Sequence, residues 1–184
     1  MKPLTLATAV MCVLTGGIAI ADDAKEATDV TLTAGTWQDL QAYVAQNRDK
    51  IVVVDVWSTS CLPCMKEFPG LVKLHESFPK DVVCVSFCVD YVGIKSRPPE
   101  RYREKAEKFL VKQNAAFRNY LSTTASDELF DEIKLSSIPA VYVYGRDGKL
   151  AKRFDPSLIE DGKEEAFTYA EDIIPFVKAM QRTK

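Results

Sequence analysis

The sequence predicts an α/β domain: a central mixed sheet with helices on both faces. Three observations carry this. Short apolar runs alternate with segments whose apolar residues recur at three and four, the pattern of parallel strands joined by helices. Two runs, Ile51–Trp57 and Asp81–Val89, are apolar almost throughout, as strands buried on both faces are. Further along, Arg146-Asp147-Gly148 separates two short runs and reads as a hairpin turn, which adds an antiparallel edge.

The elements follow in order. A short strand is predicted near Val30–Leu32. Thr36 is placed to cap a helix over Trp37–Gln46, with Trp37, Leu40 and Tyr43 or Val44 at helical spacing. After the strand Ile51–Trp57, a helix over Met65–Phe78 carries Phe68, Leu71, Val72, His75 and Phe78 on one face. Pro69 lies inside it and should kink it. The strand Asp81–Val89 follows. Pro98-Pro99 then opens a helix with Tyr102, Ala106, Phe109 and Leu110 inward and a charged, solvated face outward. A strand near Phe117–Leu121 and a short helix capped by Ser126 come next, with Leu129, Phe130 and Ile133 inward. Strands over Ala140–Tyr144 and Leu150–Phe154 flank the hairpin. A polar loop over 155–163 leads to a last helix, Glu164–Met180, with Pro175 as a kink site.

A chain of 184 residues points to one domain, and 47% apolar residues supply a full core. Lys and Arg number 24 against 26 Asp and Glu, a formal net of −2, which gives no reason to expect a nucleic-acid partner or an anionic membrane surface. Residues 1–21 stand apart. Lys2 precedes an apolar, uncharged run from Leu4 to Ile20, and Ala19-Ile20-Ala21 offers small residues for signal peptidase. This reads as a secretory signal peptide, with residues 22–29 as a flexible lead-in and 30–184 as the domain. The expected location is periplasmic or an equivalent extracytoplasmic compartment. The alternative is an uncleaved membrane anchor, for which the run is short.

The chemistry sits where the strand Ile51–Trp57 meets the next helix. Cys61 and Cys64 are separated only by Leu62 and Pro63. A helix N-terminus presents unpaired N–H groups and partial positive charge, which stabilise a thiolate. Cys61, just before the helix and exposed, is the expected nucleophile. Cys64, one turn in and more buried, is the expected resolving cysteine. Pro63 suits the first helical turn, where its missing N–H costs nothing. Asp55 lies in the apolar strand. A carboxylate there is expensive without a task, and it reads either as the proton partner of Cys64 or as a hydrogen-bonded structural acid. Ile138-Pro139, before a strand, reads either as a cis bond that leaves the Ile138 backbone open to a substrate peptide or as an ordinary trans proline at an edge.

The pattern D-x-W-x-x-x-C-x-P-C over Asp55–Cys64, followed far downstream by Ser137-Ile138-Pro139 and a hairpin, resembles the thioredoxin superfamily. The resemblance spans about residues 30–182, and the helix and strand within 98–121 look like the insertion of the exported TlpA-like and ResA-like branch. The resemblance implies a thioredoxin fold with that helix-strand insertion. It implies that Asp55 is the buried family acid, Trp57 the tryptophan beside the site and Pro139 the cis proline. Trp57, Pro63, Ile138 and Pro139 are then the candidate substrate-contact residues. It further implies thiol-disulfide exchange on protein substrates, fed by a membrane-borne electron donor and often serving cytochrome c maturation. No metal or cofactor is expected beyond the Cys61–Cys64 pair itself. Two positions depart from the family: Ser60 replaces the common tryptophan before the first cysteine, and Ala140 the common threonine after the proline.

The other residues have competing readings. Trp57 also reads as a core aromatic, and His75, the only histidine, as structural. Cys84 and Cys88 fall on one side of a strand, about 13 Å apart if it is regular, too far for a disulfide. They read as small buried hydrophobes, with a zinc site or a regulatory link from Cys88 as alternatives. Cys12 lies in the N-terminal run without a lipobox. A copper-delivery protein of the C-x-x-x-C type is disfavoured by the spacing and by the lack of a histidine after His75. The leading reading is an exported reductase of protein disulfides. A disulfide oxidase and a non-catalytic thioredoxin-fold binding module are the alternatives.

Overall fold

The computed structural model describes residues 30–156 and 167–182. The predicted signal peptide, the lead-in and most of the polar loop lie outside them. The described chain runs β1 (Leu32–Gly35), α1 (Trp37–Gln46), β2 (Ile51–Trp57), α2 (Leu62–Ser77), β3 (Val82–Cys88), α3 (Glu100–Gln113), β4 (Arg118–Ser122), α4 (Ser126–Ile133), β5 (Ala140–Tyr144) and β6 (Leu150–Phe154). A π-helical turn, Tyr169–Ile173, then leads into α5 (Ile174–Arg182).

The strands form one six-stranded sheet in the order β1-β4-β3-β2-β5-β6. The first four are parallel, and β5 and β6 are antiparallel to their neighbours. Because side chains alternate across a strand, β2 feeds two cores. Ile51, Val53 and Trp57 point to one, where Phe68 and Leu71 of α2, Phe109 and Leu110 of α3 and Val177 of α5 pack. Val52, Val54 and Val56 point to the other, against Trp37 and Leu40 of α1 and Leu129 of α4. The predicted mixed sheet with helices on both faces is therefore the observed architecture, and the helix-strand insertion supplies α3 and β4, the latter between β1 and β3.

Local chemistry sets the boundaries. Thr36 caps α1 as expected, in a reciprocal capping box with Asp39. Gly148, at φ +76°, takes the left-handed conformation that the β5–β6 turn requires. Four expectations are corrected. The first strand begins at Leu32, where its register against Asn119 begins, rather than at Val30. α2 starts at Leu62, because Cys61 itself is the cap. The cap of α4 is Ala125, and Ser126 is the first helical residue, its N–H donating to Tyr91 O at 2.8 Å. The C-terminal helical segment starts at Tyr169 among the described residues. Thr168 is extended, and its hydroxyl accepts from Glu171 N. Pro175 lies inside the continuous helical segment Tyr169–Arg182, two residues past the π-helical turn.

Candidate active site

Strand β2 ends at Trp57, and the tripeptide Ser58-Thr59-Ser60 turns the chain into α2. Cys61 is extended, at φ −94° and ψ 99°, the conformation of an N-cap. Its carbonyl accepts from Met65 N at 3.1 Å, and its Sγ accepts from Cys64 N at 3.2 Å. The sulfur thus occupies the place of a capping oxygen, against an unpaired amide at the positive end of a sixteen-residue helix. Cys61 and Cys64 form a disulfide, with Cα atoms 5.3 Å apart. Cys61 is partly exposed and Cys64 is buried, the asymmetry that separates an attacking from a resolving thiol. Pro63 is the second helical residue, and Leu62 beside it is 78% exposed.

The turn before Cys61 is held by a residue that the sequence reading missed. Asp90, nearly buried, accepts from Ser58 Oγ at 2.5 Å, Thr59 N at 2.8 Å and Thr59 Oγ1 at 2.7 Å. Ser58 Oγ in turn accepts from Ser60 N. The signal was available: β2 and β3 are parallel neighbours, so an acid just past the end of one strand lies beside a Ser-Thr-Ser turn at the end of the other.

A cavity of about 630 Å³ opens over the disulfide. Cys61, Leu62 and Pro63 form one side, Val92 and Phe130 line it from other elements, and Ile138 closes it before β5. The Ile138-Pro139 bond is cis. The structure therefore brings Pro63 and Ile138 to the cavity with Cys61, and Pro139 directly behind Ile138. Trp57 is not there. It is fully buried, its ring 5.1 Å from that of Phe68 and 4.9 Å from that of Phe109. The substrate-contact expectation for Trp57 gives way to the core reading, because β2 directs this side chain under α2 and α3.

Asp55 points into the same core as Cys64 and is 2% exposed. Burial pushes its carboxyl up to about 7. A hydrogen bond from Tyr169 opposes the rise, and the negative charge of Glu67 adds to it. Tyr169 Oη donates to Asp55 Oδ2 at 2.7 Å, while Oδ1 has no partner among the described residues. A carboxyl near neutrality can both take and give a proton at physiological pH.

Cys84 and Cys88 are free and buried, and burial pushes both thiols up. His75 packs its ring 5.3 Å from Phe117, and burial lowers its pKa. Among the described residues, no cluster of His, Cys, Asp or Glu is arranged to hold a metal ion, and no helix is long and apolar enough to cross a membrane.

Comparison with solved structures identifies the architecture. A secreted Mycobacterium tuberculosis disulfide oxidoreductase homologous to E. coli DsbE matches with TM-score 0.51 and 21% identity, over 73% of this chain and 85% of that one. A DsbF homologue from Corynebacterium diphtheriae matches with TM-score 0.55 and 19% identity, over 74% and 75%. A thioredoxin-family thiol:disulfide interchange protein from Chlorobium tepidum matches with TM-score 0.50 and 17% identity, over 74% and 83%. The chain has the thioredoxin fold. No protein-family model and no curated protein matches the sequence. Within the thioredoxin fold, the Cys61–Cys64 pair lies where β2 runs into α2, and Ile138, of the cis Ile138-Pro139 bond just before β5, lines the same cavity as Cys61.

Proposed function

We propose that this protein is an exported thiol-disulfide oxidoreductase that reduces disulfides in protein substrates. The observation that carries the proposal is the Cys61 sulfur serving as the N-cap of α2, against the Cys64 amide. In the reduced protein this placement favours the thiolate. The Cys61 thiolate attacks a substrate disulfide, one substrate sulfur leaves as thiolate, and a mixed disulfide forms. Asp55 accepts the proton of Cys64. The Cys64 thiolate then attacks Cys61 Sγ, releasing the second substrate sulfur and restoring the disulfide seen here. Two electrons pass to the substrate, and both departing thiolates acquire protons, one of them the proton taken up by Asp55.

The pair itself carries the electrons, so the cycle needs an external dithiol reductant. A membrane-borne donor fits the export signal read in residues 1–21. The resemblance to TlpA-like proteins extends the proposal to cytochrome c maturation, and the same resemblance supports reduction over oxidation. Ile138 and Pro63 line the cavity beside Cys61; in this reading Ile138 aligns a substrate strand and Pro63 shapes the wall beside the nucleophile.

Insulin reduction by the wild type and by Cys61→Ser tests the reading. Turnover lost in the variant supports it, and equal turnover returns the protein to the class of binding modules. Equilibration with glutathione fixes the direction: a potential near about −120 mV would make it an oxidase, whereas reducing members lie near about −270 mV.

A further inference from the structure

Asp55 is not alone in the core. The π-helical turn places Tyr169 under α2, where it is 2% exposed, and its hydroxyl reaches Asp55 Oδ2 at 2.7 Å. Two features of α2 make room for it and hold it. Gly70 leaves a recess, since a Cβ there would fall on the Cβ and ring of Tyr169. Glu67, one turn earlier, accepts the Tyr169 backbone N–H at 2.9 Å. Behind α2 lies a cavity of about 390 Å³ whose wall includes Glu67, Gly70 and Tyr169.

We propose that Tyr169 is the positioning residue for Asp55: its hydroxyl pins Oδ2 and leaves Oδ1 as the oxygen that exchanges the proton of the resolving cysteine. The catalytic part of this statement rests on the oxidoreductase reading above; the pinning of the carboxylate does not. A phenol donating to one carboxylate oxygen favours the ionised acid in a site where burial disfavours it. It also fixes the carboxyl plane, so the proton has one address rather than two. The groups that face Asp55 are Tyr169 from the C-terminal segment, Glu67 from α2 and Cys84 from β3. Cys64, on α2, is held in the disulfide of the oxidised chain. Tyr169 favours the ionised acid and Glu67 opposes it, so the two have effects of opposite sign.

The test uses the full oxidised chain. The infrared carbonyl band of protonated Asp55, assigned by its loss in Asp55→Asn, is titrated with pH. Tyr169→Phe is expected to move the midpoint up by about one pH unit, the effect of losing a hydrogen bond to a charged group. Glu67→Gln, which keeps an acceptor for the Tyr169 N–H, is expected to move it down. Should Tyr169→Phe not fold, 3-fluorotyrosine in place of Tyr169 keeps the shape, strengthens the donor and should lower the midpoint. A midpoint unchanged in Tyr169→Phe, or in the fluorinated protein, overturns the proposal. The acid limb of the pH profile for insulin reduction should shift with the infrared midpoint. If insulin reduction proves independent of Cys61, the oxidoreductase reading fails, yet the infrared titration still decides whether Tyr169 pins Asp55.

Discussion

Asp90 grips Thr59 twice, taking the backbone amide on Oδ1 at 2.8 Å and the hydroxyl on Oδ2 at 2.7 Å. The same carboxylate takes the Ser58 hydroxyl, so the turn that delivers Cys61 to the head of α2 is anchored to the end of the neighbouring strand. A sulfur can cap a helix only if the residues before it hold still. The anchor therefore connects loop geometry to thiol chemistry.

Asp90→Ala leaves the Thr59 amide and two hydroxyls in a nearly buried place without their acceptor. The expected cost is about 3 kcal/mol, or roughly 10 °C in Tm for a chain of this size. In the reduced protein, Cys61 should alkylate more slowly at neutral pH, because its sulfur no longer sits steadily against the Cys64 amide. Calorimetry and an iodoacetamide time course check the two effects. An unchanged Tm would mean that the turn is held by other means.

Asp55 makes stability depend on pH with a definite sign. Its folded carboxyl titrates near 7, against about 3.9 in an unfolded chain. Between these values the folded state holds a proton that the unfolded state has lost, so stability falls as pH rises through the window. Three units correspond to about 4 kcal/mol, fully lost above pH 7. Asp55→Asn removes this dependence. Urea denaturation at pH 4 and pH 8 should show the variant gaining on the wild type by several kcal/mol at the higher pH. Parallel curves for the two proteins would place the Asp55 carboxyl in its ordinary range.

Much of this was legible in the sequence because the signals were local. Ile51–Trp57 matched β2 because a strand buried on both faces has no polar residue to spare, and Asp55 stood out for that reason. Cys61, Cys64 and Pro63 fall within one helical turn, so their relation needed no tertiary knowledge. What escaped notice depended on distant pairings. Asp90 is ordinary until β3 is laid beside β2. Tyr169 is one tyrosine among seven until the π turn swings it beneath α2. Trp57 was ambiguous because alternation along β2 fixes its face, whereas only the packing of α2 and α3 decides whether that face is open.

The two remaining thiols of β3 should be inert. Cys84 and Cys88 are buried on the face that holds Asp55, and burial raises both pKa values, so neither supplies thiolate at neutral pH. In the oxidised, folded chain, mass mapping after treatment with a maleimide should find both unmodified, with labelling appearing only in denaturant. Labelling of Cys88 in the folded protein would revive a regulatory link between it and the active pair.

A change at Gly70 separates packing from chemistry at the buried acid. Replacing it by alanine sets a methyl where the Cβ and ring of Tyr169 now lie. Alanine favours a helix over glycine by about 1 kcal/mol, yet the overlap should cost about 1–3 kcal/mol, so a net loss is expected. The tyrosine must retreat, and its hydroxyl then loses Asp55 Oδ2. Gly70→Ala should therefore raise the Asp55 titration in the same direction as Tyr169→Phe, although it removes no polar atom. In Gly70→Ala combined with Tyr169→Phe, the second shift should be largely absent, because both changes break the same hydrogen bond. Additive shifts in the double variant would show that Gly70 acts on Asp55 by a route other than Tyr169.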